Sequence, residues 1–251
     1  MDPGAGKAVI LEFLRMLCGG DTAQHTCLLD WLTHAVQHPD APGETALCVS
    51  GPPGCGKGQL WQVIRSLMQV HGDCVDMDIP VLRLWKADNG LLINEVACAH
   101  ISECTRNEFK NLAFKLRALV RDNYLVRSRY LFQPPATIQV RVRIVVATSV
   151  ALDRIENDVQ RDIERFTFIQ CSNARVGDQA YFQALCAAID DMGTVSAVCK
   201  FLRHQLLWAR VRSFVRARAV VVYWLGLTEH LMAAGGAAEA RDRMDYETDF
   251  M

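Results

Sequence analysis

Eight consecutive residues, Gly51-Pro52-Pro53-Gly54-Cys55-Gly56-Lys57-Gly58, have the composition of a loop that grips phosphate. Glycines allow the backbone to turn so that successive N–H groups face an anion. The lysine places a compact positive charge on the β- and γ-phosphates of a nucleotide. A helix opening at Lys57 directs the positive end of its dipole at the same anion. The GxxxxGK spacing between a strand and a helix is the context this chemistry requires. The expected ligand is ATP, held by Gly51, Pro52, Pro53, Gly54, Cys55, Gly56, Lys57, Gly58 and Gln59. After the lysine such loops carry Ser or Thr, whose hydroxyl binds Mg²⁺. Here that position is Gly58.

Other residues are spaced to act on a γ-phosphate. The run LLIN-Glu95 reads as an apolar strand ending in a carboxylate, and Glu95 is expected to polarise a water. Asn94 and Glu95 are the candidates near Mg²⁺, with Asn94 standing where an aspartate often supports the metal. The run RIVVATS ends at Ser149, which could orient the attacking water. Arg161 and Arg165 flank the start of RFTFIQC, and either could supply transition-state charge stabilisation to a neighbouring subunit. Each group also has a plainer reading: a solvated carboxylate, a strand-terminal serine, a surface arginine.

These residues need a scaffold, and the hydrophobic pattern supplies one. Residues 8–36 read as helical from apolar spacings of three and four, with Asp21 and Thr22 as caps of a second helix. HPDAPGE (38–44) is a loop and ALCVS (46–50) a short buried strand. A helix follows over 57–70, then a polar turn at 87–90 and a buried strand at 91–94. Residues 105–121 form a helix with Phe109, Leu112, Leu116 and Leu119 on its apolar face. Strands follow at 124–132 and 137–149, separated by Pro134 and Pro135, and again at 165–171. Helices at 179–190 and 194–208 close the pattern. Alternating strands and helices predict an α/β fold with a central, mostly parallel sheet flanked by helices. The chain divides into an N-terminal helical segment (1–44), a P-loop NTPase core (45–208) and a divergent tail (209–251).

The chain has 251 residues and a net charge of −1, so nucleic acid could be held only by a local basic surface. Its ten cysteines form no CxxC pair, which argues against a zinc site and for a reduced compartment. The N-terminus shows no secretory signal. The longest apolar run, AVVVYWLGL (219–227), is too short to span a bilayer. The expectation is an intracellular protein with no membrane partner.

The ordered set LLDWLTHAVQHPD, ALCVSGPPGCGKGQL, LLINEVA, RVRIVVATS and DIERFTFIQCSNARVGDQAYFQAL resembles the superfamily 3 helicase domain of poxvirus-type primase-helicases. These occur in viruses, phages and mobile elements, and the likeness covers about residues 24–205. In that group the phosphate loop often reads GTGKG, so Gly58 fits. Asp178, Ala180, Tyr181 and Phe182 match its D-x-A-Y-F run. The resemblance implies an AAA+-like core that assembles as a ring, often a hexamer, with ATP between subunits. It also implies a pre-sensor hairpin gripping single-stranded DNA. That hairpin would fall around 124–141, with Arg127, Arg129, Arg141 and Arg143 as DNA-binding residues interleaved with Tyr124, Tyr130 and Phe132. An amphipathic hairpin with a solvated basic face would have the same pattern.

The sequence departs from the family at three places. Val150 follows Ser149 where the family has Asn, Glu164-Arg165 replaces a double arginine, and Asn94 replaces Asp. The expected function is ATP-dependent helicase or translocase activity in replication, the chain being a piece of a longer primase-helicase that works with a primase or other replication proteins. One alternative is a nucleotide-binding assembly module that has lost turnover. A nucleoside monophosphate kinase shares the GxPGxGKG loop, but its arginine-bearing lid and DGFPR-like segment are not found.

Overall fold

A computed structural model describes residues 2–41, 43–77, 96–120, 125–128, 136–139 and 142–205. The chain opens with two helices, α1 (Pro3–Leu17) and α2 (Thr22–Gln37). Asp2 caps α1 with Pro3 behind it, and Asp21 caps α2 by accepting from the backbone N–H of Ala23 and Gln24. Gly19 and Gly20, at φ 63° and 78°, break what otherwise reads as one helical stretch.

Strand β1 (Ala46–Ser50) leads into the loop and α3 (Lys57–Met68), then β2 (Asp73–Met77) and β3 (Val96–Ile101). Helix α4 (Arg106–Leu119) precedes a hairpin of β4 (Leu125–Ser128) and β5 (Ala136–Gln139). Strand β6 (Arg143–Thr148), α5 (Leu152–Asp158), a 3₁₀ turn (Gln160–Arg165) and β7 (Phe166–Gln170) follow. Helices α6 (Gln179–Asp190) and α7 (Met192–Arg203) complete the described chain.

The fold is α/β. Five parallel strands form one sheet in the order β2-β3-β6-β1-β7, while β4 and β5 pair antiparallel as a separate ribbon. Both faces of the sheet are covered, and alternate residues of β1 serve different cores. Leu47 and Val49 join Leu14, Leu32, Leu60, Ile64 and Leu202 from the helices on one face. Ala46 and Cys48 join Phe109, Ile144, Ile155 and Phe166 on the other. Helices α1 and α2 therefore share a buried cluster with α3, α6 and α7.

Several elements differ from the sequence expectation. The strand expected at 91–94 lies outside the described residues, as do Asn94 and Glu95. Strands β2 and β3 were not expected, because VACAHI and DCVDM carry small or charged residues with weak β preference. The single strand expected over 137–149 is two, β5 in the ribbon and β6 in the sheet. Among the described residues no helix is long and apolar enough to cross a membrane.

The run WLTHAVQHP has a structural job. The Trp31 indole N–H donates to the Thr45 carbonyl at 3.1 Å. The Gln37 amide donates to the carbonyls of Leu202, Arg203 and Gln205 at 3.0, 3.2 and 2.8 Å, closing the end of α7. The carbonyls of His38 and Pro39 accept from the Arg143 guanidinium.

That last contact corrects one expectation. Arg143 was expected to hold DNA, but it opens β6 with only 1 % of its surface exposed. Burial pushes its pKa down to about 10. A guanidinium enclosed on two loop carbonyls has no access to a phosphate backbone; it is a tie between β6 and the loop after α2. Of the other expected DNA contacts, Arg129 and Arg141 lie outside the described residues, and Arg127 belongs to β4.

Candidate functional site

All five sheet strands run the same way, so their C-terminal ends share one edge, and the phosphate loop leaves β1 at that edge. Gly54 (φ 78°) and Gly56 (φ 107°) adopt left-handed conformations that fold the loop back over its own start. Gly56 also caps α3. A Cβ there would stand 3.1 Å from a Phe13 ring carbon and 3.3 Å from one of Phe182. Lys57 is buried, its Nζ donating to the carbonyls of Gly51 at 2.6 Å and Pro52 at 3.0 Å. The ammonium is thus held at the centre of the loop, directly at the N-terminus of α3.

Two neighbouring strand ends are tied to this loop. The Gly51 N–H donates to the Thr148 carbonyl at 3.1 Å. The Thr148 hydroxyl donates to the Cys104 carbonyl at 2.5 Å, and the Cys104 N–H to the Ala147 carbonyl at 2.9 Å. Three bonds therefore join the loop, the end of β6 and the turn after β3. Ser149 follows Thr148 and is exposed at this edge.

The turn after β3 carries a residue that the sequence reading missed. Ser102 and Glu103 follow Ile101, both exposed, and Glu103 has φ 49°. A left-handed conformation costs a non-glycine residue about 1–2 kcal/mol, and such outliers concentrate at functional sites. The start of α4 holds the turn in place. Thr105 and Glu108 form a capping box there, with Thr105 N–H donating to the Glu108 carboxylate at 2.9 Å and Glu108 N–H to the Thr105 hydroxyl at 3.4 Å. That T-x-x-E spacing was a legible marker of a helix start, hence of a strand ending just before it.

Glu95 lies outside the described residues. Val96, the next residue in the chain, opens β3 at the sheet edge away from the loop. Arg165 stands at that far edge too, before Phe166, which pairs with Ala46 at the start of β1. Five strand residues, about 16 Å, separate it from the loop of its own chain. Arg161 belongs to the same 3₁₀ turn.

The matched DQAYF run acts through packing. Asp178 caps α6 by accepting from the Tyr181 N–H at 3.1 Å and pairs with Arg175 at 2.9 Å. The Arg175 guanidinium lies 4.7 Å from the centre of the Tyr181 ring. Phe182 backs Gly56 from the α6 side as Phe13 does from α1.

The site's titration is dominated by one thiol. Cys55 is pushed down to about 6, first by a hydrogen bond from Cys171, then by the charge of Lys57 and its backbone N–H. Cys104 is pushed up to about 12 by burial.

As to metal, Gly58 offers no side-chain ligand, and a Cβ there would meet nothing within 4 Å. Among the described residues, the Ser102 and Ser149 hydroxyls and the Glu103 carboxylate are oxygen groups exposed at this edge.

No family model matches the chain, and no curated protein matches it. Solved structures do. The apo structure of the NrS-1 C-terminal region (305–718) superposes with a TM-score of 0.57 at 17% identity, covering 83% of this chain and 47% of that one. A second, the A form of the apo NrS-1 C-terminal region, gives 0.54 at 15% identity, covering 84% and 51%. The likeness is one of fold, and the chain spans about half the length of the structures it matches.

Proposed function

We propose that this chain is a nucleotide-hydrolysing P-loop domain of the superfamily 3 helicase type, coupling ATP turnover to movement on single-stranded DNA in replication. The observation carrying this reading is the convergence of three groups at one sheet edge. Strand β6 lies between β1 and β3, so loop and Glu103 are two strand spacings apart, about 10 Å. That gap is the room a γ-phosphate and an attacking water need, with Ser149 between them.

In this reading the loop N–H groups and Lys57 bind the triphosphate, and Ser149 contacts the water or the γ-phosphate. Glu103, rather than Glu95, orients the water. Mg²⁺ would arrive with the nucleotide and be held by Glu103 and Ser102, with Gly58 adding no ligand. Its chemistry would be to neutralise phosphate charge. Arg165 is too far from its own loop to act there, so its finger role requires a neighbouring subunit, as in a ring. The β4–β5 ribbon, with Arg127 on β4, is the DNA-gripping element.

The test is ATP hydrolysis with and without single-stranded DNA, beside Lys57→Ala. The variant loses charge-assisted contacts to two phosphates, an expected weakening of about 3 kcal/mol or ~100-fold in nucleotide affinity. DNA-stimulated turnover that vanishes in the variant upholds the reading. ATP binding without turnover moves the protein to the second one, an assembly module, which the missing hydroxyl at Gly58 favours. Phosphate transfer to AMP would replace both with a kinase.

A further inference from the structure

The phosphate loop contains a thiol that nucleotide chemistry does not use. Cys55 sits between Gly54 and Gly56 with its side chain turned inward and 4 % of its surface exposed. Cys171, directly after β7, is 5 % exposed and anchored by its N–H to the Ser50 carbonyl at 2.7 Å. The two meet over Gly51. A single point, where a Cβ on Gly51 would stand, is 2.7 Å from Cys171 Cβ and 2.8 Å from Cys55 Sγ. Two cysteines that approach a common point this closely are within the range from which a disulfide can close with small backbone movement.

Reactivity belongs to one partner. Thiol nucleophilicity needs the thiolate, which electropositive surroundings stabilise and apolar burial suppresses. The neighbouring Cys171 thiol, Lys57 and the N-terminus of α3 all hold the Cys55 thiol down. Cys171 itself is pushed up by the neighbouring Cys55 and by burial. Burial also drives Cys18 to about 12 and Cys74 to about 11. Cys55 lies at the base of a narrow cleft, partly open to solvent, that it lines together with Phe13, Leu17 and Phe182.

We propose that Cys55 and Cys171 are a peroxide-sensitive dithiol pair whose oxidation closes the phosphate loop. The Cys55 thiolate attacks an oxygen of hydrogen peroxide; the O–O bond breaks, the departing hydroxide takes a proton to become water, and Cys55 becomes a sulfenic acid. The Cys171 sulfur then attacks the Cys55 sulfur, the S–O bond breaks, and hydroxide leaves with the Cys171 proton as a second water. Two thiols lose two electrons to become a disulfide, and one peroxide is reduced to two waters. The bond draws residue 55 toward the end of β7 across Gly51. Lys57, two residues on, is carried with it, and the N–H cradle narrows. The consequence for ligand binding rests on the reading of this loop as the nucleotide site; the bond itself does not.

The experiment treats the full chain with limiting hydrogen peroxide, blocks free thiols, and maps the non-reduced digest. Binding of a fluorescent ATP analogue is measured before oxidation, after it, and after dithiothreitol. The expected result is a 55–171 linked peptide with affinity reduced about tenfold, the scale of one lost charge-assisted contact, and recovery on reduction. In Cys171→Ser the sulfenic acid should persist on Cys55 and be trapped by dimedone, with no linked peptide. Recovery of Cys55 and Cys171 as separate blocked thiols, or a linked peptide with unchanged affinity, overturns the proposal. A reduced chain that binds no nucleotide sinks the function proposed above, while the peptide map still decides whether the pair forms.

Discussion

The two edges of the sheet use the same kinds of residue for opposite ends. At the start of the strands, Arg143, Thr45, Thr167 and Trp31 are buried, and their polar groups, the Arg143 Nε excepted, are spent on one another or on backbone. The Thr45 and Thr167 hydroxyls lie 2.7 Å apart, and Arg143 and Trp31 donate to loop carbonyls. At the end of the strands, Ser102, Glu103 and Ser149 are exposed, and the bonds that hold them come from the neighbouring Thr148 and Cys104. One edge is polar in order to be shut. The other keeps its polar side chains facing solvent by having adjacent residues do the tying. What separates structure from chemistry here is the partner each polar group already has.

Glu103→Gln tests the open edge most severely. Removing the group that orients water should lower hydrolysis by about 10²–10⁴-fold with nucleotide affinity nearly unchanged. Glu95→Gln in the same assay should leave the rate alone. Loss of turnover in the Glu95 variant, with Glu103→Gln active, would move the chemistry to a different residue and undo the contrast between the edges.

The closed edge is tested by Arg143→Met, which strands the carbonyls of His38 and Pro39. A loss of about 2–4 kcal/mol in stability, read from the denaturant midpoint, is expected, with single-stranded DNA affinity unaltered in the protein that remains folded. Arg127→Ala should do the reverse, leaving stability in place while weakening DNA binding and reducing the salt slope by about one.

Gly58→Ser sharpens the picture of the metal. The position has open space around a Cβ, so the hydroxyl should be accepted without strain and should raise Mg²⁺-dependent ATP affinity by roughly 0.5–1.5 kcal/mol, a few-fold. Titration of Mg²⁺ against both proteins decides it.

A pH dependence of stability comes from the closed edge as well. His34 is held down to about 4, first by burial, then by the charges of Arg143 and His38. The unfolded chain therefore takes up a proton near pH 6.5 that the folded chain refuses until about 4. Stability should fall as pH drops through that window and level off below it. His25 and His100 are lowered as well, so His34→Gln should flatten the fall without removing it, as urea midpoints across the window would report.

The phosphate loop was legible in the sequence because its chemistry is made by backbone, and glycine spacing records backbone shape directly. The α/β alternation and the helices at 57–68, 106–119 and 179–190 followed from apolar period for the same reason. Strand β3 was not legible. LLIN is the more hydrophobic run, whereas VACAHI is built of small residues and a histidine that a buried central strand accepts but does not advertise. The acidic candidate read from the sequence is Glu95, which lies outside the described residues, and Glu103, beyond the end of β3, drew no notice because no strongly apolar run leads to it. Arg143 misled in a different way. Alternating arginines at 141 and 143 read as a basic face, and only the fold reveals that β6 enters the sheet at Arg143 and encloses it.

Gly56 has a further consequence, for recombination. Its missing side chain is the space into which Phe13 and Phe182 press, rings borne on helices that are far apart in the chain. A relative that exchanges only α1, or only α6, would inherit a helix shaped for a different neighbour, and the gap or clash would fall on the cap of the phosphate helix. These two distant segments are heritable only as a pair, and a chimera that respects every domain boundary could still distort the glycine loop by dividing them.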